Sequence, residues 1–141
     1  MSLLRKLRVY YVTAIAGLLL SLLGFSYNAW RLEASETNNT VRTAAFELFK
    51  VLAELEQVAY AAHYDHDPVE GSPRRGWVRV GLAVDLAPLI SARARQDAEA
   101  LRATWQQEWP RLATDAQASA RLVAAIDTLR AGLRQELQQL E

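Results

Sequence analysis

The first strong pattern along the chain is an uninterrupted apolar run near its N-terminus. Residues 9–29 contain no charged residue and no proline. As a helix, this run would be about 31 Å long, close to the roughly 30 Å hydrocarbon core of a bilayer. The pattern predicts a transmembrane helix between a basic stub, residues 1–8, and a polar, extracytoplasmic segment, residues 30–141.

The charges on the two sides of the apolar run predict its orientation. The stub carries Arg5, Lys6 and Arg8 without an acid, whereas both signs follow the run. Because Lys- and Arg-rich flanks stay in the cytoplasm, we expect a single-pass protein with its N-terminus in the cytoplasm and its long C-terminal part outside it. A cleaved signal peptide is the alternative. The length of the run and the bulky Tyr27 at the candidate cleavage site argue against it.

Small or polar residues recur within the span at spacings of 4, 4, 3 and 4, so they share one face of a helix. They are Thr13, Gly17, Ser21, Gly24 and Asn28. Small residues let two membrane helices approach closely. This face is either a dimerisation or partner-docking surface, or the ordinary composition of a single span.

A heptad pattern follows in a stretch, residues 25–67, that contains neither proline nor glycine. Its apolar positions alternate spacings of 4 and 3, and we call them the seam: Val41, Ala45, Leu48, Leu52, Leu55, Ala59 and Ala62. The seam predicts a helix that is buried in a bundle or against a protein partner, since Phe46 and Phe49 widen its apolar stripe. Residues 35–40 are polar, so this helix either continues from the span or starts afresh with Thr40 as its cap.

Glycine and proline concentrate in residues 64–87, which form the least helix-like stretch. Pro68 and Gly71 are expected to end the long helix, and Ser72–Pro73 predicts the N-cap and first position of a new one. Residues 76–82 fit a strand or a helix. Because no second β-rich run exists to pair with a strand, we predict a short irregular helix.

Four ionisable residues at the start of this stretch form a candidate metal site. His63, Asp65, His66 and Asp67 offer the nitrogen and oxygen donors that zinc or nickel accept. Their spacing matches no structural zinc motif and no EF-hand. The alternative is that they are solvated groups at a helix C-terminus. We expect no metal and no other cofactor.

A basic and aromatic cluster follows, made of Arg74, Arg75, Trp77 and Arg79. It is either an anion or ligand site, or a structural element. In the structural alternative, Trp77 closes the end of the bundle and the arginines pair with Asp65, Asp67 and Glu70.

Two further apolar stripes, Ile90–Trp105 and Leu122–Leu140, predict two more long helices. We expect Asp85 and Pro88 to start the first of them, and a Thr114–Gln117 capping box to start the second. Charged residues between the apolar positions, such as Arg121 and Arg130, indicate a solvated face.

The predicted fold is all-α: an N-terminal transmembrane helix continues into an antiparallel bundle of three long helices and one short one. In this arrangement the first and last long helices run away from the membrane, and the middle one returns.

Composition narrows the function. Sixteen basic residues balance sixteen acidic ones, which argues against nucleic acid as a partner. The absence of cysteine excludes disulfides and cysteine-ligated metals, and no phosphate loop or nucleophile motif is present, so we expect no enzyme. We predict an accessory or scaffold subunit that binds another membrane or periplasmic protein, or a second copy. The alternative is a periplasmic ligand-binding or sensory module using residues 64–80.

Two segments, RKLRVYYVTAIAGLLLSLLGFSYNAWRLE and DHDPVEGSPRRGWVRVGL, resemble uncharacterised single-span inner-membrane proteins of Pseudomonas-like bacteria. This resemblance implies a location in the bacterial inner (plasma) membrane, with the C-terminal domain in the periplasm, and it brings no known activity. More loosely, the layout of anchor and bundle resembles the periplasmic four-helix sensory domains of chemoreceptors. That resemblance implies a sensory role, although residues 30–141 lack the second span through which such receptors signal.

Overall fold

A computed structural model describes residues 3–140, with nothing stated for the side chain of Leu4. Residues 3–140 contain helices and turns and no strand, so the predicted all-α fold is confirmed and residues 76–82 are helical. The α-helices are α1 (Leu3–His63), α2 (Pro73–Leu86), α3 (Ala92–Glu108) and α4 (Ala116–Gln139). Short 3-10 turns, Ala87–Leu89 and Trp109–Arg111, follow α2 and α3.

The chain forms two compact units, Met1–Asn38 and Asn39–Glu141. In the first unit every side chain described from residue 5 onward is exposed. Within residues 3–140, α1 is the one helix long and apolar enough to cross a membrane, and its most apolar window is 0% buried. One candidate membrane-spanning helix is therefore present, by length and composition.

The polar segment at residues 35–40 does not interrupt α1. Helix is assigned throughout, and the Thr37 hydroxyl donates to the Glu33 carbonyl at 3.0 Å within the helix. Such back-bonding satisfies a hydroxyl without ending the helix. The fresh helix start at Thr40 is therefore wrong.

The second unit is a bundle with one contiguous apolar core. All four helices contribute to it, and its larger members are almost inaccessible to solvent. Burying a side chain of this size stabilises the fold by about 1.5–3 kcal/mol relative to exposure. Its largest fully buried side chains are Trp105, Leu48, Leu52, Leu55, Leu101, Leu122, Ile126, Leu129, Leu133 and Val80.

Polar contacts establish the direction of α4. Arg42 donates to the Leu140 carbonyl at 3.3 Å, and Arg130 contacts Glu56 at 2.8 Å. Residues 39–63 are the part of α1 that belongs to the bundle. The start of this part contacts the end of α4, so the two segments are antiparallel.

The directions of α2 and α3 follow in the same way. Arg121 near the start of α4 pairs with Glu108 at the end of α3, so those helices are antiparallel. Gly71, just before α2, lies against Ala62 near the end of α1, and Arg79 further along α2 pairs with Glu54. The bundle is therefore up-down-up-down, with the short α2 as the first returning helix. The predicted directions of the last two long helices are reversed.

Ser72 and Pro73 begin α2 as predicted, although the Ser72 side chain makes no capping hydrogen bond. The predicted start of α3 near Asp85 is wrong, because α2 continues to Leu86 and Pro88 lies in the following 3-10 turn.

The caps of α3 and α4 lie at residues that the sequence patterns did not single out. The Ser91 hydroxyl accepts the Ala94 N–H at 3.0 Å and caps α3. The Asp115 carboxylate accepts the Gln117 N–H at 2.8 Å, so it replaces Thr114 as the cap of α4.

Candidate functional site

The seam lies inside the bundle. Five of its residues are fully buried, and Val41 and Ala62 pack against the same core from its edges. The chain's own helices cover these side chains. A partner of the folded protein must therefore contact a different surface.

Two of the four candidate metal ligands, His63 and Asp67, stabilise local structure, and Asp65 lines a groove beside α2. The Nδ1 atom of His63 lies 2.7 Å from the Leu112 carbonyl oxygen. Since a carbonyl only accepts, Nδ1 carries the proton of this hydrogen bond, which ties the end of α1 to the turn after α3. His66 has a φ of 49°, the left-handed conformation of a tight turn.

Asp67 organises the turn that follows. Its Oδ1 accepts the N–H groups of Val69 at 2.8 Å and Glu70 at 3.0 Å. These bonds, the one from Glu70 first, hold the pKa of Asp67 below its ordinary value. In the part of the chain from residue 3 to residue 140, no group of three or more His, Cys, Asp or Glu side chains is placed to hold a metal ion.

Two of the three arginines of the basic cluster are paired. Arg75 pairs with Glu70, and Arg79 Nε lies 2.6 Å from an oxygen of Glu54 on α1. The structural alternative predicted the ion pair with Glu70 correctly. It did not predict the pair with Glu54, because a contact between segments far apart in the chain has no local signal in the sequence. An anion binding here would compete with the carboxylate that neutralises each paired arginine.

The two paired arginines border a groove of about 480 Å³ between the end of α1 and α2. Tyr60 lines it too, and its hydroxyl donates to Glu56 at 3.0 Å, which raises the pKa of the phenol. Neither Arg74 nor Trp77 lines this groove, although the ligand-site alternative included both residues.

A second concave surface of about 300 Å³ lies between the loop after α1 and the turn after α3. We call it the distal cleft. Its lining includes three prolines and two tryptophans, among them Pro73, Trp105 and Trp109, and also His66 and Asp67. Small-molecule pockets range from about 300 to 1,000 Å³, so the distal cleft is at the small end of that range.

The contact between Gly76 and Trp105 joins α2 to α3. Trp105 is fully buried, and a Cβ atom at Gly76 would lie 2.0 Å from two atoms of the indole ring. Trp77 packs edge-on against the same ring, with centroids 6.4 Å apart. Glycine inside a helix is normally destabilising, but here α2 needs Gly76 for the close approach of the Trp105 ring.

Glu108 is the most buried charged residue among those described, with a side chain only 3% exposed. Arg121 of α4 donates to both of its oxygens, at 2.9 and 3.0 Å, and Arg111 donates to one at 2.9 Å. Arg121 had been assigned to a solvated face. The mixed charges around Arg121 do not reveal that Glu108, thirteen residues earlier in the chain, is buried against this arginine.

This cluster predicts an acid-sensitive bundle. The hydrogen bond from Arg121 holds the pKa of Glu108 below its ordinary value near 4.5. A lowered folded pKa gives stability that is complete above the unfolded pKa and lost as the pH falls through the folded one. In urea titrations from pH 7 down to pH 3, we expect the unfolding midpoint of Glu108→Gln to fall less below about pH 5 than that of the wild type.

Asp67 and Asp115, whose pKa values are also lowered by backbone hydrogen bonds, keep part of the acid dependence in that variant. Glu99→Gln is the matched control, because Glu99 pairs with Arg102 on the exposed face of α3. Equal acid dependence in both variants would contradict a special role for Glu108.

The small face of the apolar segment has its hydroxyls satisfied within the helix. Thr13 donates to the Val9 carbonyl and Ser21 to the Gly17 carbonyl, each at 2.9 Å. No atom lies within 4 Å of a Cβ placed at Gly17 or at Gly24. Within the described chain this face stays open.

No family model, no curated protein and no solved structure matches the chain. Its class therefore follows from its own geometry. It is an all-α protein with four α-helices, in which the first contains the candidate membrane span and also contributes to the bundle.

Proposed function

We propose that this chain is a single-pass membrane protein whose bundle acts as a non-enzymatic accessory or scaffold subunit through protein–protein contacts. Residues 9–29 cross the inner (plasma) membrane of a bacterium, with the N-terminus in the cytoplasm and the bundle in the periplasm. One observation carries the proposal: the apolar run of α1, residues 9–29, is exposed to solvent, although the bundle completes its apolar core without it.

An exposed apolar helix of this length requires a nonpolar environment, which a bilayer supplies. Aromatic pairs stand at both ends of the segment: Tyr10 contacts Tyr11, and Tyr27 contacts Trp30, with ring centroids 6.3 and 6.2 Å apart. Such rings are favoured at the interface between membrane and water. The basic stub supports an N-terminus in the cytoplasm.

The charges of the bundle support a binding role over a catalytic one. Its best-formed ion pairs join neighbouring helices, such as Glu56 with Arg130 and Glu108 with Arg121. Each of these carboxylates already accepts hydrogen bonds from an arginine and is therefore not free to bind a substrate. These ion pairs therefore hold neighbouring helices together and fix the positions of the residues on the outer surface of the bundle.

Topology is testable because the chain contains no cysteine. We expect a membrane-impermeant maleimide to label Ala103→Cys in cells with a permeabilised outer membrane, and to label Leu3→Cys only after lysis. Ala103 lies on an exposed position of α3, so the substitution leaves the fold intact. Labelling of Leu3→Cys in unlysed cells would contradict the proposed orientation.

The binding role is tested with a photo-crosslinking amino acid placed at exposed positions of the full-length chain, in the membrane where it is made. Leu82 on α2 and Ala103 on α3 are matched exposed sites. We expect a defined crosslinked complex from at least one site. It should persist when residues 9–29 are replaced by an unrelated apolar span of equal length. Background labelling from all bundle positions would contradict a scaffold role.

The distal cleft favours a second function, a ligand-binding or sensory module. Its aromatic and proline lining suits a small apolar ligand with few polar groups. A ligand that binds the folded state raises the unfolding temperature. Such a shift, present in the wild type and absent from Trp109→Ala, would support this function over the scaffold role.

A further inference from the structure

One buried hydrogen-bond donor among the described residues has no acceptor. Within residues 3–140, two buried side-chain atoms lack a hydrogen bond: Oδ2 of Asp97 and Nε1 of Trp105. Asp97 Oδ2 lies 3.9 Å from Arg93 Nε and so faces an opposite charge. The indole N–H of Trp105 can only donate. Because an enclosed donor without an acceptor destabilises the folded state, this N–H favours the binding of a molecule that carries an acceptor.

The ring that carries this N–H lines the distal cleft. Trp105 is fully buried and forms part of the cleft wall, together with Trp109 one helical turn later and Pro73 at the start of α2. The edge of the Trp105 ring formed by Cζ2 and Cη2 packs against Gly76. This packing holds the ring in place, so its N–H remains within the wall of a cleft of about 300 Å³.

The charges around the distal cleft disfavour an anionic ligand. None of the described residues that line it is a lysine or an arginine. Asp67 does line it, and the backbone hydrogen bonds that it accepts, the one from Glu70 first, hold its pKa below the ordinary value. Arg75, which also lowers this pKa, is already paired with Glu70. Asp67 is therefore ionised at neutral pH and would repel a carboxylate or a phosphate in the cleft.

We propose that the distal cleft binds a neutral, mainly apolar small molecule with one acceptor, a carbonyl or ether oxygen, that takes the hydrogen bond of Trp105 Nε1. The apolar body of the ligand lies against Trp109 and the prolines. Since the N–H is enclosed, the acceptor reaches it by displacing a side chain of the cleft wall. The inference rests on the second proposed function, the ligand-binding or sensory module, and names the class of ligand for it.

Two probes of nearly the same shape test the acceptor. Acetophenone carries a carbonyl oxygen, and isopropenylbenzene carries a methylene group in its place. Each probe is titrated into the full-length wild type and into full-length Trp105→Phe in lipid nanodiscs, and the free aqueous concentration of the probe is measured by dialysis. Comparing each probe with itself in the two proteins removes the difference in hydrophobicity between the probes.

We expect Trp105→Phe to weaken the binding of acetophenone about threefold to tenfold more than that of isopropenylbenzene, the range for one net hydrogen bond. Phenylalanine keeps an aromatic ring in the wall and removes the N–H, and its smaller ring changes the shape of the cleft for both probes alike. Equal weakening of the two probes would overturn the role of the N–H. Benzoate, which has a similar shape and a negative charge, should bind more weakly than acetophenone, and equal affinity would overturn the neutral class.

The indole N–H signal gives a direct readout in the wild type, independent of the stability of the variant. The chain contains four tryptophans, so heteronuclear NMR of the isotope-labelled protein shows four indole signals, and the spectrum of Trp105→Phe identifies the signal of Trp105. We expect acetophenone to shift this proton downfield relative to isopropenylbenzene, because the proton enters a hydrogen bond. A Trp105 signal that no probe moves would show that the cleft does not reach the N–H, and would overturn the proposal.

Trp77→Phe is the matched control. Trp77 packs edge-on against Trp105 but does not line the distal cleft. This variant should leave the ratio of the two affinities unchanged, and a change as large as that of Trp105→Phe would contradict a specific role for the Trp105 N–H.

The outcomes separate this inference from the proposed functions. If both probes bind, Trp109→Ala abolishes binding and the acceptor gives no advantage, the ligand-binding function stands and this inference alone is overturned. If no probe binds, this inference fails. The crosslinking experiment at exposed positions of α2 and α3 still decides the scaffold role, because it uses no probe.

Discussion

Replacing Trp105 with alanine is expected to lower the free energy of unfolding by about 3–5 kcal/mol, the range for removing a large buried aromatic side chain. Trp105 is fully buried and contacts both Gly76 and Trp77 of α2. Alanine would leave a cavity between α2 and α3. Val80 and Ala83 of α2 are buried in the same core, so the cavity would weaken the packing around them.

The measurement is urea unfolding of the full-length chain in mild detergent, followed by far-UV circular dichroism. Trp105→Phe is the informative control. Among the described residues the indole Nε1 has no hydrogen-bond partner, so phenylalanine removes volume without breaking a hydrogen bond. We expect it to cost less than half as much as alanine. If Trp105→Ala costs no more than Ala103→Gly on the exposed face of α3, the joint between α2 and α3 contributes little.

Replacing Gly76 with alanine is expected to destabilise the bundle by about 1–3 kcal/mol or more, the cost of overpacking a well-packed core. The added Cβ would lie 2.0 Å from Cη2 and Cζ2 of Trp105. A rigid indole cannot yield by that amount, so α2 must move away from α3. Helix propensity alone predicts that this substitution would stabilise the bundle, since alanine favours a helix over glycine by about 1 kcal/mol.

Gly81→Ala is the matched control, five residues further along the same helix. Its Cβ would meet nothing within 4 Å, so only the backbone preference applies, and we expect a gain of about 0.5–1 kcal/mol. The two substitutions should therefore change stability in opposite directions.

Combining Gly76→Ala with Trp105→Ala isolates the cause. Residues in contact show non-additive effects, and the cavity left by the indole accommodates the new methyl group. The cost of Gly76→Ala should largely vanish in the Trp105→Ala background. Additive costs would contradict a steric clash with Trp105.

The burial of the seam changes where a partner is to be sought. Its heptad spacing was compatible with self-association as well as with a bundle core, because the same periodicity serves both. In the structure Leu48, Leu52 and Leu55 are fully covered by the chain's own helices. Exposed large apolar side chains lie outside the seam, such as Phe46 on α1 and Val78 and Leu82 on α2.

By itself, the sequence determined the properties that depend on neighbouring residues. The apolar run at 9–29, the helical period of the seam and the Ser72–Pro73 helix start are all visible within one or two turns of chain. Hydrophobic periodicity and capping act over that range. The all-α class and the candidate span could be predicted for this reason.

Only the tertiary structure decided the properties that depend on which segments meet. The directions of α3 and α4 follow from α2 being a returning helix, which its ambiguous local pattern did not reveal. The burial of Glu108 by Arg121 and the need for glycine at position 76 arise from packing between helices. Such contacts are chosen by shape and charge over the whole bundle, and they leave no periodic trace in the chain.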